Sequence, residues 1–166
     1  MTDYPWLPEA LKYEDYDNDQ NRIIEAAYAI FKNDFIDSSL EYIGKKIIAP
    51  PELRADGKHE CFWHIVSEKY RSNRIFSIDR CVRINWPRAL IDNASIHDVL
   101  VWKTVSQRSK SSKREMRLKI ALSDYSYIII LREQSTCYIL VTAYPVDQTH
   151  TILDLVAEYE NFRNLA

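Results

Sequence analysis

The chain has 166 residues, a formal net charge of −2 and 46% hydrophobic residues, enough for one sizeable core. Its 2 glycines, Gly44 and Gly57, exclude glycine-cradle phosphate loops and dinucleotide-binding turns, which need several. No apolar run approaches the ~18 residues of a membrane span, no secretory pattern opens the chain, and Cys61, Cys81 and Cys137 are too widely spaced for a metal pair or a disulfide framework, so a reducing, cytoplasmic setting is expected.

Charge is unevenly distributed. Residues 1–37 hold nine acids against three bases, and residues 147–166 hold four acids against Arg163. The centre, 38–146, holds eighteen bases against eleven acids. A basic body between acidic ends is expected to attract a polyanion; uneven surface decoration gives the same pattern.

In chain order, residues 17–36 read as a helix, with Ile23, Ile24, Ala27, Ile30 and Phe31 at helical spacing and Asp17, Asn18 or Asp19 as cap. Residues 39–48 look extended. The run "ECFWHIVSE" (60–68) fits either a strand or a short buried helix. "SIDRCVRI" (77–84) reads as a helix capped by Ser77, and "NWPRALIDNA" (85–94) as another with Pro87 in its first turn. "DVLVWKTV", "EMRLKIAL", "YSYIIILRE" and "TCYILVTAYP" follow as four strands, the last two joined at Gln134-Ser135. Residues 147–164 form an amphipathic helix with Ile152, Leu155, Val156, Tyr159 and Phe162 as its stripe. The expected class is α+β: N-terminal helices, a four-stranded antiparallel meander and a closing C-terminal helix.

Candidate chemistry is spread over these elements. His59 and His64 lack a third clustered ligand, so no metal is expected. His64 interrupts an apolar run, where a histidine is a core residue or a proton-transfer group. Arg80 and Arg83, three apart on a helix, can present two guanidinium forks to a phosphate or serve as surface ion-pair formers. Thr142 and Tyr144 point the same way on a strand; both suit a phosphate contact, and both are common strand residues. Lys103, Arg108, Lys110, Lys113, Arg114 and Arg117 make a basic loop and flanks that can track phosphates or keep a hairpin tip soluble. His59, Lys69, Arg71 and Arg74 are assigned to the rim, and His150, at the start of the last helix, is a reserve acid or base. Together these are the parts of a metal-free, cofactor-free ribonuclease. The 2′-hydroxyl attacks its own phosphate, a base takes its proton, an acid protonates the leaving 5′-oxygen, and cations hold the phosphoryl charge.

The runs "GKHECFWHIVSE", "DRCVRINWPRALIDNA", "VWKT" and "YIIILRE…CYILVTAYPVDQTHTILDLVAEYE" resemble a family of small phage-associated bacterial proteins grouped with the barnase–EndoU–colicin–RelE-like (BECR) nuclease fold. The similarity spans about residues 57–160. It implies RNA cleavage of the toxin or phage-conflict type, to a 2′,3′-cyclic phosphate. It points to His64, Arg80, Arg83, Thr142 and Tyr144 as catalytic residues and to Trp86 and Trp102 as wall or stacking residues. Residues 57–166 would be the nuclease domain and 1–56 an addition packed on it. RNA is the implied partner, with a cognate antitoxin, a phage or host protein and a homodimer left open, and no membrane. A non-catalytic RNA-binding module and an antitoxin-like inhibitor are the alternatives.

Overall fold

The computed structural model describes residues 3–106 and 114–165. Among them, six strands form one mixed sheet, two more form a separate ribbon, and five α-helices surround them. The first helix, α1 (Gln20–Phe35), starts where the Asp19 carboxylate accepts the backbone N–H groups of Asn21 and Arg22. It buries Ile23, Ile24, Ala27, Phe31 and Phe35.

Residues 39–48 are not one extended element. They fold into a hairpin of β1 (Glu41–Tyr42) and β2 (Lys45–Ile48), because Ile43 and Gly44 both take positive φ, the signature of a two-residue turn matched to strand twist. The ambiguous run 60–68 is a helix followed directly by a strand. Helix α2 (Glu60–Val66) leads into β3 (Ser67–Tyr70), which pairs with β4 (Asn73–Phe76) in a ribbon outside the main sheet. The Ser77 hydroxyl accepts from the Arg80 N–H and caps α3 (Ile78–Cys81), and Pro87 sits in the first turn of α4 (Trp86–Asp92).

Four successive strands then pair antiparallel: β5 (Val99–Ser106), β6 (Glu115–Leu122), β7 (Tyr127–Glu133) and β8 (Cys137–Pro145). The sheet continues beyond β8, where β2 pairs parallel to it and β1 follows, giving the order β1-β2-β8-β7-β6-β5. The sheet curls so far that Glu133 on β7 accepts from both Lys45 on β2 (3.2 Å) and Lys103 on β5 (3.0 Å).

Each face of the sheet has its own core. On one, α1, α2, α3 and α4 pack with Ile120, Ile129, Leu131 and Leu140. Tyr4 and Leu7 are buried in this same core, and the segment before α1 is strapped to it. Trp6 donates to Asp98, Trp86 to the Pro8 carbonyl, and the Leu11 N–H to the Val82 carbonyl. The described residues up to 56 thus share one core with those that follow. On the other face, the last helix, α5 (Thr149–Leu165), covers Trp102, Ala121, Ile128 and Ile130 through Leu155 and its neighbours. The Lys119 ammonium reaches both Glu158 oxygens, at 2.6 and 2.7 Å, and ties α5 down.

Candidate functional site

The face that α5 partly covers continues past the helix. Cross-strand partners share a face, and Arg117 stands opposite Arg132, one step beyond Lys119 opposite Ile130. Glu115 lies further along the same side of β6. On β8 a bulge at the Ile130/Leu131 step inserts Val141, since Ile130 pairs with Thr142 while Leu131 pairs with Leu140. Next to that bulge β2 no longer pairs with β8, and α2 packs beside the strand, with the Cys61 thiol 3.7 Å from the Leu140 carbonyl.

These features enclose a hollow of about 260 Å³. It is lined by Ile139, Leu140 and Val141 of β8, Glu60, Cys61 and His64 of α2, Glu115 and Arg117 of β6 and Arg132 of β7, with Pro50 and Glu52 completing it. The carboxylate of Glu115 accepts two bonds from Arg117, at 3.0 and 3.1 Å, and has Arg132 at 3.6 Å. With Glu52 and Glu60, the lining holds three carboxylates against these two guanidiniums.

His64 is half-buried. Burial first, then the Arg74 and Arg80 guanidiniums, hold its imidazole below the ordinary histidine range, against the opposing pull of Glu60. The ring is therefore neutral at neutral pH and free to accept a proton. Glu60 is held low by Arg54, which bonds it twice, at 2.5 and 2.9 Å. Burial pushes the Cys61 thiol up to about 12, so no thiolate nucleophile stands in the hollow. Among the described residues no cluster of His, Cys, Asp or Glu has metal-binding geometry, and no helix is long and apolar enough to cross a membrane.

The residues expected from the sequence are divided among several places. Arg80 and Tyr144 line a second cleft with Lys69 and Glu68. There the Arg80 guanidinium lies 5.0 Å over the Tyr144 ring and donates to the Ser67 carbonyl. Arg83 falls beyond the end of α3, so the expected guanidinium pair is split. Arg83 bonds Asp79 and lies 5.2 Å over the Trp86 ring instead. Thr142 is buried, and its hydroxyl has no hydrogen-bond partner among the described residues, so a phosphate cannot reach it in this conformation. Trp102 is fully buried between Tyr125 and Tyr159 and has no face for a base to stack on. Trp86 is half-buried, edge-on to Tyr127.

Of the basic group, Arg117 lines the hollow, Lys103 is engaged by Glu133, and Arg114 is exposed. Arg108, Lys110 and Lys113 lie outside the described residues. His59 is not on the rim. It is buried, with Nδ1 2.8 Å from the Tyr28 hydroxyl. His150 is exposed in the first turn of α5.

Glu115 and Arg132 are the residues that sequence reasoning missed. Their signal was present: Glu115, Arg117 and Lys119 alternate along β6, which reads equally well as a solvated face. No protein-family model matches the chain, and no curated protein or solved structure matches it either.

Proposed function

We propose that the protein is a metal-independent endoribonuclease of the toxin or phage-conflict type, with the BECR arrangement of strands and closing helix. One observation carries this reading: a histidine kept neutral lines the same hollow as two arginines. In the proposed reaction the His64 imidazole takes the proton of the RNA 2′-hydroxyl. The 2′-oxygen forms a bond to the adjacent phosphorus, and the 5′-oxygen leaves with a proton from solvent. Arg117 and Arg132 hold the phosphoryl oxygens on which charge builds. The phosphate displaces Glu115 from its bonds to Arg117 and its ion contact with Arg132, and the product carries a 2′,3′-cyclic phosphate.

The test is cleavage of single-stranded RNA in EDTA, with the new ends analysed for cyclic phosphate. His64→Ala is expected to slow it by roughly 10²–10⁴-fold with the fold retained. Undiminished cleavage by His64→Ala would remove His64 from the chemistry. RNA binding without turnover would make the hollow a binding site only.

A further inference from the structure

The β3–β4 ribbon projects from the body, and positions 68–75 are exposed throughout. A two-stranded ribbon has little stability of its own, yet its root is pinned. The Arg74 guanidinium donates to the Ser67 hydroxyl (3.0 Å), the Ser67 carbonyl (2.8 Å) and the His64 carbonyl (2.9 Å). The Arg80 guanidinium holds the same Ser67 carbonyl, and the Ser77 N–H closes on the Val66 carbonyl. The ribbon is thereby fixed in place relative to His64.

Pairing puts Tyr70 and Ile75 on one face of the ribbon, since Ile75 stands opposite Glu68, two residues before Tyr70. They are 58% and 48% exposed, an apolar strip that none of the described residues covers. Arg71 at the tip, held at φ 56°, lies 5.5 Å over the Tyr70 ring. Residues 68–75 hold three bases, Lys69, Arg71 and Arg74, against one acid; Glu68 shares the Tyr70 face, and Lys69 and Arg74 stand opposite each other on the other. An exposed ring on a basic finger, anchored at a candidate proton acceptor, matches the needs of an unpaired base with its phosphate: a stacking surface and neutralising charge together.

We propose that Tyr70, with Arg71, forms a stacking subsite for single-stranded RNA, taking a nucleotide that flanks the one held in the hollow. The proposal rests on the reading of the hollow as an RNA-cleaving site. Duplex RNA is excluded as the occupant because its bases are already stacked.

The probe is a fluorescein-labelled oligouridylate with 2′-O-methyl groups, which binds but has no 2′-hydroxyl to react. Tyr70→Ala is expected to weaken its binding, read by anisotropy, by roughly 5- to 150-fold, with Tyr70→Phe close to the parent and Arg71→Ala between them. Binding indifferent to both Tyr70→Ala and Arg71→Ala overturns the subsite, even where RNA is still cut. A parent that binds no oligonucleotide overturns it as well. Tyr70-dependent binding without cleavage of unmodified RNA supports the subsite and sinks the ribonuclease reading instead.

Discussion

The burial of Thr142 leads to a measurable gain in stability. Its hydroxyl sits on β8 opposite Ile130, on the face that α5 covers, with no partner in reach among the described residues. A buried polar group without a hydrogen bond costs about 1–3 kcal/mol of desolvation. Valine has nearly the same outline and a strong preference for strands. Thr142→Val therefore removes the penalty while leaving little cavity, and the expected gain is about 1–2 kcal/mol. For a chain of this length that corresponds to a rise in Tm of about 2–8 °C. Urea unfolding followed by circular dichroism measures it, as a higher midpoint with an unchanged slope. RNA cleavage is expected to stay at the parent's rate. A less stable variant would show that the hydroxyl has a partner. A stable variant that no longer cleaves would return Thr142 to the chemistry and refute the argument from burial.

Two further perturbations address the hollow. Glu115→Gln removes the carboxylate paired with Arg117 and Arg132, so oligonucleotide binding at low salt is expected to tighten. The plot of log affinity against log salt is expected to steepen by about 0.7 for one more phosphate neutralised. Anisotropy across a salt series reads both, and an unchanged slope would mean that these arginines do not meet phosphate. His64 makes stability depend on pH. Unfolded, its imidazole binds a proton near 6.5; folded, it binds one only at lower pH. The unfolded state therefore holds more protons between those values, and stability falls as pH drops from about 6.5 through the folded value, with no contribution above that window. His64→Gln is expected to flatten this part of the profile in urea midpoints, and parallel profiles for the two proteins would contradict it.

The sequence marked most elements because their signals are local. Asp19 and Ser77 cap where a short polar side chain can reach the backbone, and the strands from Val99 to Pro145 carry β-branched and aromatic runs. The hairpin at Ile43-Gly44 was missed because only one of its two turn residues is glycine. The β3–β4 ribbon was missed because "SEKYRSNRIF" has almost no buried residues to give a period. The site was half legible for a different reason. His64 and Arg117 stood out by residue type, but a two-residue period cannot say which polar alternates stay open once a distant helix lies over the same face. Here α5 takes Lys119 into an ion pair and leaves Arg117, two residues away, in the hollow. Arg80 and Arg83 were joined by an assumed helical turn, and α3 ends before it could align them.

The parallel ladder between β2 and β8 has a consequence for how the chain can be divided. Lys46, Ile47 and Ile48 occupy the edge of β8 at Cys137, Tyr138 and Ile139, and Ile23, Phe31 and Phe35 fill the floor beneath it. A fragment starting at residue 57 would carry a raw β edge and a core missing its lid, the ingredients of self-association rather than of an independent enzyme. The second half therefore depends on the first third of the chain for one sheet edge and much of its packing.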